Sequence, residues 1–265
     1  MEDMITVAVA EPVAAINFIA KSEASKRALK SANILKTLKI DILIEGEIGV
    51  GKLPLARVIA PSAPIIDLEK EKKFYEIFES LNEDVVIVKN FHKILDSNRF
   101  QTIKQQKNVR VIATSLKNID KKITDKIFGI KIYLPPLSER EEDVRALSEI
   151  YLKEARENLF LNAGDDFFKD FTPDLSLNAK SLKKSVYKKL LIENMKEEDI
   201  VSILENYFEK NLSEDRSYRS FLNIFDLAII RAGLKKYGSQ LKLSKILGLN
   251  RNTLRKKIND IENLL

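Results

Sequence analysis

The chain has 265 residues, of which 45% are hydrophobic and 32% are charged, with 8 Gly and 7 Pro. This composition is typical of an ordered globular protein with a sizeable hydrophobic core, and it excludes disorder as the dominant state. The chain has no cysteine and one histidine. Disulfides, thiol catalysis and cysteine-ligated metals are therefore excluded, and a histidine-based metal site or a Ser/His/Asp triad is disfavoured.

An apolar run near the N-terminus is the one segment that invites comparison with a signal or membrane sequence. Glu2, Asp3 and Glu11 interrupt this run, and no basic segment precedes it. No other stretch approaches eighteen apolar residues. We therefore expect a cytoplasmic protein without a membrane partner.

The positive charge is concentrated at the C-terminal end. The formal net charge is +6, and residues 221–265 contain nine basic and three acidic side chains, which leaves 36 of each sign in residues 1–220. Such asymmetry favours a nucleic-acid-binding segment. Charge alone also allows a basic helix face that contacts only water.

The first half of the chain alternates predicted strands and helices. The predicted strands are 40–44, 65–66, 84–88 and 109–113, and the predicted helices are 22–37, 52–60, 70–80 and 92–106. This alternation predicts an α/β fold with a parallel sheet and helices on both faces.

The second half reads as helices only. They are predicted at 138–160, 178–193, 197–210, 219–236, 239–247 and 251–263, with a polar linker at 211–217. The predicted domains are an α/β subdomain at 1–136, a helical subdomain at 137–212 and a C-terminal helical domain at 213–265.

A glycine-rich loop follows the first predicted strand. The sequence Gly46-Glu-Ile-Gly-Val-Gly-Lys52 matches the phosphate-loop pattern up to its lysine and lies between a strand and a helix. Such a loop directs backbone N–H groups and its lysine at phosphate oxygens. A chance glycine-rich turn is the alternative. The predicted nucleotide-binding residues here are Gly46, Glu47, Gly49, Val50, Gly51, Lys52 and Leu53, with ATP or ADP as the candidate ligand.

The residues that would bind Mg²⁺ and activate water are missing from this pattern. Leu53 replaces the hydroxyl that follows the lysine, and Lys89 and Asn90 stand where a carboxylate pair should end the strand at 84–88. Lys89 is instead expected near the position of the metal. We assign no catalytic residue, leave Mg²⁺ open, and interpret His92 as a surface residue without a role.

Four motifs carry a family resemblance. They are GEIGVGK with LPLARVIA after it, VRVIATS (Val109 to Ser115), IYLPPLSEREEDVRAL (Ile132 to Leu147) and GLNRNTLRKKI (Gly248 to Ile258). With these motifs the chain resembles the AAA+ domain of NtrC-type, sigma-54-dependent activators followed by a Fis-type helix-turn-helix. The resemblance implies a P-loop sheet, a helical lid at 137–212 and a DNA-binding domain at 213–265.

Several positions depart from that family. Lys180 stands where the family has a sensor arginine, and we include it among the nucleotide-binding residues. Asp120 and Lys126 occupy the positions of the arginine fingers. The segment between Pro61 and the strand at 84–88 is too short for the family's sigma-54-contacting loop. The resemblance thus implies nucleotide binding with poor hydrolysis and without sigma-54 remodelling.

The C-terminal motif predicts how DNA would be read. Gly248 to Asn250 form the turn, with Asn250 capping a recognition helix that begins at Arg251. Arg251 is the candidate for a guanine contact, with Asn250 and Thr253 as polar neighbours. Predicted phosphate contacts are Arg255, Lys256 and Lys257. Leu254 and Ile258 are predicted as core, packed under Leu243, Ile246 and Leu247.

An apolar stripe on the preceding helix has two interpretations. Its residues are Leu222, Phe225, Ile229 and Ala232, at helical spacing. They form either an intramolecular core or, as the resemblance implies, the contact of a homodimer or higher homo-oligomer that binds an inverted repeat in double-stranded DNA.

The leading prediction is a sequence-specific transcription regulator with a degenerate AAA+ domain. One alternative is an active ATPase that remodels a transcription complex, with RNA polymerase as a candidate partner. The other is an architectural, Fis-like protein that binds DNA with little sequence preference.

Overall fold

A computed structural model describes residues 17–116, 121–213 and 218–262. These residues belong to two compact units, one that extends to Asn194 and one that starts at Met195. The domain boundaries drawn from the sequence at 136 and 212 stay predictions. Within the described ranges, no helix combines the length and apolar character needed to cross a bilayer.

The first unit is built on a five-stranded parallel sheet. Its strands are β1 (Ile42–Glu45), β2 (Ile65–Asp67), β3 (Val85–Lys89), β4 (Arg110–Ser115) and β5 (Ile130–Tyr133). Their order is β2-β3-β4-β1-β5, with Ile42 of β1 paired to Ile112 and Ile130. The predicted α/β class is confirmed. The sequence missed β5 because this edge strand is short and buries one residue fully, so its apolar signal is weak.

Helices cover both faces of this sheet. In chain order the helices of the first unit are α1 (Glu23–Leu35), α2 (Lys52–Ile59), α3 (Phe74–Ser80), α4 (Ser97–Lys107), α5 (Lys121–Ile127), α6 (Glu141–Leu159) and α7 (Ala179–Asn194). Ile42 and Ile44 of β1 pack into one core cluster and Leu43 into the other. Because successive side chains of a strand point to opposite faces, β1 is buried on both sides.

The helix predicted to begin at residue 92 begins later. Asp96 accepts hydrogen bonds from the backbone N–H groups of Asn98 and Arg99 and so caps α4. Residues 91–93 form a single 3-10 turn that buries Phe91. A capping carboxylate fixes the start of a helix more strongly than the polar periodicity on which the sequence prediction depended.

The described residues of the second unit, 195–213 and 218–262, form four helices. They are α8 (Glu197–Asn211), α9 (Tyr218–Tyr237), α10 (Gln240–Ile246) and α11 (Arg251–Glu262). Ile230, Leu243, Leu254 and Ile258 form its core. A Cβ on Gly233 would lie 2.2 Å from Leu243 Cδ1, so glycine lets α9 and α10 approach closely.

One predicted core residue of this unit is exposed. Leu243, Leu254 and Ile258 are buried as predicted, and Leu247 is partly buried against them, but Ile246 is 49% exposed. The helix α10 has only two turns, and its inward face is taken by Leu243 and Leu247 at spacing i and i+4. Ile246 therefore points away from that face.

Candidate nucleotide cavity and DNA interface

The loop between β1 and α2 depends on its glycines. A Cβ on Gly46 would lie 2.6 Å from the carbonyl oxygen of Leu134, and one on Gly49 would lie 2.3 Å from that of Leu177. Gly51 has a φ of 102° and precedes α2 as its N-terminal cap. The loop therefore lies tightly against its neighbours and leads into a helix N-terminus, the geometry of an anion site.

Lys52 folds back over this loop. Its Nζ donates to the carbonyl oxygens of Gly46 at 2.7 Å and Glu47 at 2.5 Å. Burial lowers the pKa of Lys52 to about 8; Glu47 opposes this shift and Lys180 adds to it. The ammonium of Lys52 is partly buried and, among the described residues, bonds only these two uncharged carbonyl oxygens. An anionic ligand would therefore stabilise its charged form.

Asn178 ties the start of α7 to the loop. Its side-chain amide donates to Glu47 Oε2 and to the carbonyl oxygen of Ile48, each at 3.0 Å, and its Oδ1 accepts from Leu137 N at 2.7 Å. Ala179 N also donates to the Gly49 carbonyl oxygen at 3.1 Å. The Glu47 carboxylate is thus engaged by Asn178, a residue that sequence reasoning did not single out.

Asp143 is the centre of a second buried network, which contacts the phosphate loop through Arg140. Its Oδ1 accepts from Lys21 N at 2.6 Å and from Ser22 N at 3.0 Å, and its Oδ2 accepts from Ser22 Oγ at 2.9 Å. Arg140 Nε forms an ion pair with Asp143 Oδ2 at 3.0 Å, and Arg140 Nη1 donates to the Val50 carbonyl oxygen at 3.1 Å. Arg140 and Asp143 of the motif ER-x-ED therefore join α1, α6 and the phosphate loop.

A cavity of about 570 Å³ opens beside the loop. Phe18, Ile19, Val50, Leu147 and Tyr151 give it an apolar wall. Its cationic lining consists of Lys52, Lys89, Lys93, Arg140, Lys180 and Lys183. Among the described residues, Glu69 is its acidic lining residue. This charge distribution favours an anionic ligand with an apolar portion.

Most of the predicted nucleotide-binding residues meet at this cavity. Its lining includes Gly49, Val50, Gly51, Lys52, Leu53 and Lys180. Gly46 and Glu47 lie outside the lining and contact Lys52 through their carbonyl oxygens. Lys126, which the family resemblance compares with an arginine finger, is exposed on α5, and Asp120, the other residue so compared, lies outside the described residues.

The end of β3 carries an ion pair in place of two carboxylates. Lys89 Nζ lies 2.5 Å from Asp67 Oδ2, and Asn90 Nδ2 donates to Asp67 Oδ1 at 2.7 Å. Burial opposes ionisation of Asp67, but bonds from Lys89, Glu69 N and Asn90 hold its pKa below the ordinary value. Sequence reasoning missed Asp67 because it lies on the neighbouring strand β2, in register with Lys89.

His92 lies closer to the cavity than a surface interpretation implies. It is half-buried and contributes to the cavity lining. Burial and the positive charges of Lys93 and Lys52 lower its pKa, so the imidazole is neutral at pH 7. No cluster of three or more His, Cys, Asp or Glu side chains suited to a metal ion occurs within the described part of the chain.

The outer face of α11 is polar and cationic. Asn250 Oδ1 accepts from Asn252 N at 2.9 Å, the cap that the sequence predicts. Side chains exposed on this helix and its cap include Asn250, Arg251, Thr253, Arg255 and Lys256. Lys257 is half-buried and forms an ion pair with Asp226 of α9.

The apolar stripe on α9 faces solvent. Phe225 is 63% exposed, and Leu222, Ile229 and Ala232 are exposed as well. The core face of α9 is instead formed by Ile230, Gly233, Leu234 and Tyr237. The interpretation of the stripe as an intramolecular core is therefore wrong.

Comparisons with known proteins agree with this architecture. No protein-family model matches the chain. An "HTH-type transcriptional regulatory protein TyrR" from Haemophilus influenzae is 23% identical over 91% of this chain and 93% of its own length. Crystal structures of NtrX from Brucella abortus in complex with ATP and with ADP align with TM-scores of 0.54 and 0.56, at 14% identity, over 92% of this chain and 68% of theirs. At this identity the likeness establishes the fold alone, an α/β fold built on a parallel sheet.

Proposed function

We propose that the chain is a sequence-specific, DNA-binding transcription regulator whose AAA+-type unit binds ATP or ADP and hydrolyses it poorly. The observation that carries the proposal is the face of α11. That helix buries Leu254 and Ile258 against α9 and α10 and presents cationic and polar side chains outward. A short helix that follows a tight turn and has this surface supports the proposal of a helix-turn-helix recognition helix.

Each predicted DNA-binding residue of α11 and its cap has a role in this proposal. Arg251, in the first turn, reads a guanine through two hydrogen bonds, and Asn250 and Thr253 contact neighbouring bases. Arg255 and Lys256 bind phosphates. Lys257 mainly stabilises the packing of α11 against α9, because its ammonium forms an ion pair with Asp226. Its contact with a phosphate is therefore secondary.

Two further observations support a regulator. The similarity to TyrR, a protein described as an HTH-type transcriptional regulatory protein, covers 91% of the chain. The net charge of +6 also equals the excess within residues 221–265. A net positive charge in the segment that contains α11 steers that segment to DNA.

The residues of the cavity fit a nucleotide. The glycine loop and Lys52 suit a polyphosphate, and the apolar wall with Phe18 and Tyr151 suits a base. Hydrolysis would require a carboxylate near the phosphates to activate water, and the end of β3 presents Lys89 instead. We expect ATP turnover below about 0.1 per second, far under the roughly 10 per second of a median enzyme.

Replacing Arg251 by alanine should relax sequence selection at one base pair of the site. Purified protein would select fragments from genomic DNA at about physiological salt, with Arg251→Ala and Arg231→Ala in parallel. Arg231 is an exposed arginine of α9, so its loss removes the same charge away from α11. Wild type and Arg231→Ala should enrich one short motif, and Arg251→Ala should lose about 1 to 3 kcal/mol of preference for one base pair in it.

Other outcomes of this selection would favour other functions. DNA retention without an enriched motif would favour the architectural alternative. A motif unchanged by Arg251→Ala would contradict the role of α11. Turnover well above 0.1 per second that Lys52→Ala abolishes would favour an ATPase that remodels a transcription complex, with RNA polymerase as its candidate partner.

Replacing Phe225 by glutamate should dissociate a homodimer formed through the α9 stripe. Phe225 is exposed, so the change leaves the core formed by Ile230 and Leu243 intact. Sedimentation should show dimers for wild type and for the control Asn223→Glu, which adds the same charge at a neighbouring exposed position. Phe225→Glu should be monomeric and lose most of its affinity for an inverted repeat. A dimer that survives Phe225→Glu would place the contact elsewhere.

A further inference from the structure

The described residues near the phosphate loop do not fit Mg²⁺. A hydrocarbon side chain, Leu53, follows Lys52, and Lys89 carries an ammonium at the end of β3. Asp67 has both oxygens engaged, one by Lys89 and one by Asn90, and Glu69, the acidic residue of the lining, accepts from Asn90 Nδ2 at 3.2 Å. Mg²⁺ requires oxygen ligands in octahedral geometry, which an ammonium repels and an alkyl group cannot supply.

Lys89 is positioned to neutralise phosphate charge, the role that Mg²⁺ has in other nucleotide-binding sites. Its side chain contributes to the same cavity as Lys52, whereas Asp67 does not belong to the lining. The Lys89 side chain is 35% exposed and that of Asp67 is 11% exposed. Asp67 thus lies behind Lys89 and fixes the direction of its ammonium, because β2 and β3 pair these two residues in register.

The remaining charges of the cavity reinforce this arrangement. Arg140 is paired with Asp143, and Lys183 is bonded to Glu154. Lys52 donates only to neutral carbonyl oxygens in the described structure. A nucleotide without Mg²⁺ carries more negative charge than its Mg²⁺ complex. Three of the six cationic lining residues are paired with carboxylates, and the positive charge of Lys52, Lys93 and Lys180 still favours the metal-free form.

We propose that this cavity binds a nucleoside di- or triphosphate without a metal ion, and that Lys89, held by Asp67, bonds the phosphate oxygens that Mg²⁺ would otherwise neutralise. This inference rests on the nucleotide-binding part of the proposed function and makes Lys89 a phosphate-binding residue. A lysine ammonium is a compact point charge with three donors, suited to several phosphate oxygens at once.

The test compares ATP affinity in EDTA and in excess Mg²⁺ by calorimetry on the full chain. Wild type should bind ATP in EDTA at least as tightly as in Mg²⁺. Lys89→Gln keeps a hydrogen-bond donor for Asp67 and removes the charge. It should weaken binding in EDTA about tenfold or more and weaken binding in Mg²⁺ less, so that the ratio of the two affinities changes.

A matched control is available in the same unit. Lys104 forms an ion pair with Asp41 at 2.5 Å, with side chains 19% and 16% exposed, and it lies outside the cavity lining. Lys104→Gln therefore breaks a comparable Lys–Asp pair, and it should leave the ratio of affinities unchanged. Thermal unfolding of both variants separates a loss of binding from a loss of folding.

Three results would overturn the inference. They are binding that strictly requires Mg²⁺, an EDTA affinity that Lys89→Gln leaves unchanged, and the absence of nucleotide binding under both conditions. The comparison of wild-type ATP affinity in EDTA and in Mg²⁺ needs no variant. It therefore tests the metal-free binding even if Lys89→Gln fails to fold. DNA selection by α11 is measured without nucleotide, so failure here is distinguishable from failure of the DNA-binding function.

Discussion

Replacing Asp143 by alanine should lower the free energy of unfolding of the first unit by about 3 to 5 kcal/mol, the usual cost of breaking a buried ion pair by removing one partner. Asp143 is fully buried and Arg140 is 2% exposed. The substitution would leave a buried guanidinium beside the Val50 carbonyl and would remove the acceptor of the Lys21 and Ser22 backbone N–H groups. Denaturant unfolding monitored by circular dichroism measures this loss.

Glu142 supplies the control for that experiment. It is the preceding residue of α6 and is exposed, so Glu142→Ala removes the same charge and should change stability by less than about 0.5 kcal/mol. Burial opposes ionisation of Asp143, but hydrogen bonds from Ser22, Lys21 and Ser25 hold its pKa below the ordinary value. Its contribution is therefore complete above the unfolded pKa and lost as pH falls through the lower folded pKa. Equal stability of the two variants would contradict the network.

Replacing Lys52 by methionine should weaken ATP binding about 10- to 100-fold, because a charge-assisted hydrogen bond contributes roughly 1.5 to 3 kcal/mol. The change keeps most of the alkyl stem and removes the ammonium that bonds Gly46 and Glu47. Lys107→Met is the control, since Lys107 also donates to a carbonyl oxygen, that of Leu81, but lies outside the cavity lining. Calorimetry should show near wild-type affinity for the control.

The pH dependence of ATP binding checks the same residue. Burial lowers the pKa of free Lys52 to about 8, and bound phosphate would raise that pKa. The affinity for ATP is therefore near its maximum at pH 7. It falls as pH rises through 8, by about tenfold between pH 7 and pH 9. Lys52→Met should abolish this dependence. A flat profile for wild type would show that Lys52 does not bind the phosphates.

The sequence predicted those parts of the molecule that depend on local pattern. The alternation of β-branched runs with amphipathic helices indicated the parallel sheet, and the glycines before Lys52 indicated the loop that the structure places beside a cavity. Asn250 caps α11 as predicted, because a cap needs only the residues that follow it in the chain.

The residues missed by the sequence act between distant parts of the chain. Asp67 meets Lys89 because two strands pair in register, and Asn178 meets Glu47 across 131 positions of the chain. Asp143 likewise accepts from Ser22, 121 positions away. No local signal distinguishes these side chains from exposed polar ones, so their roles emerge only from the tertiary contacts.

The most direct test of the central claim is a specificity ratio. The affinity of the full chain for its selected site would be compared with its affinity for random duplex DNA, at about physiological salt because phosphate contacts depend on ionic strength. A sequence-specific regulator should bind its site about 10³-fold or more above random DNA. A ratio within about tenfold of unity would contradict the account and favour an architectural protein.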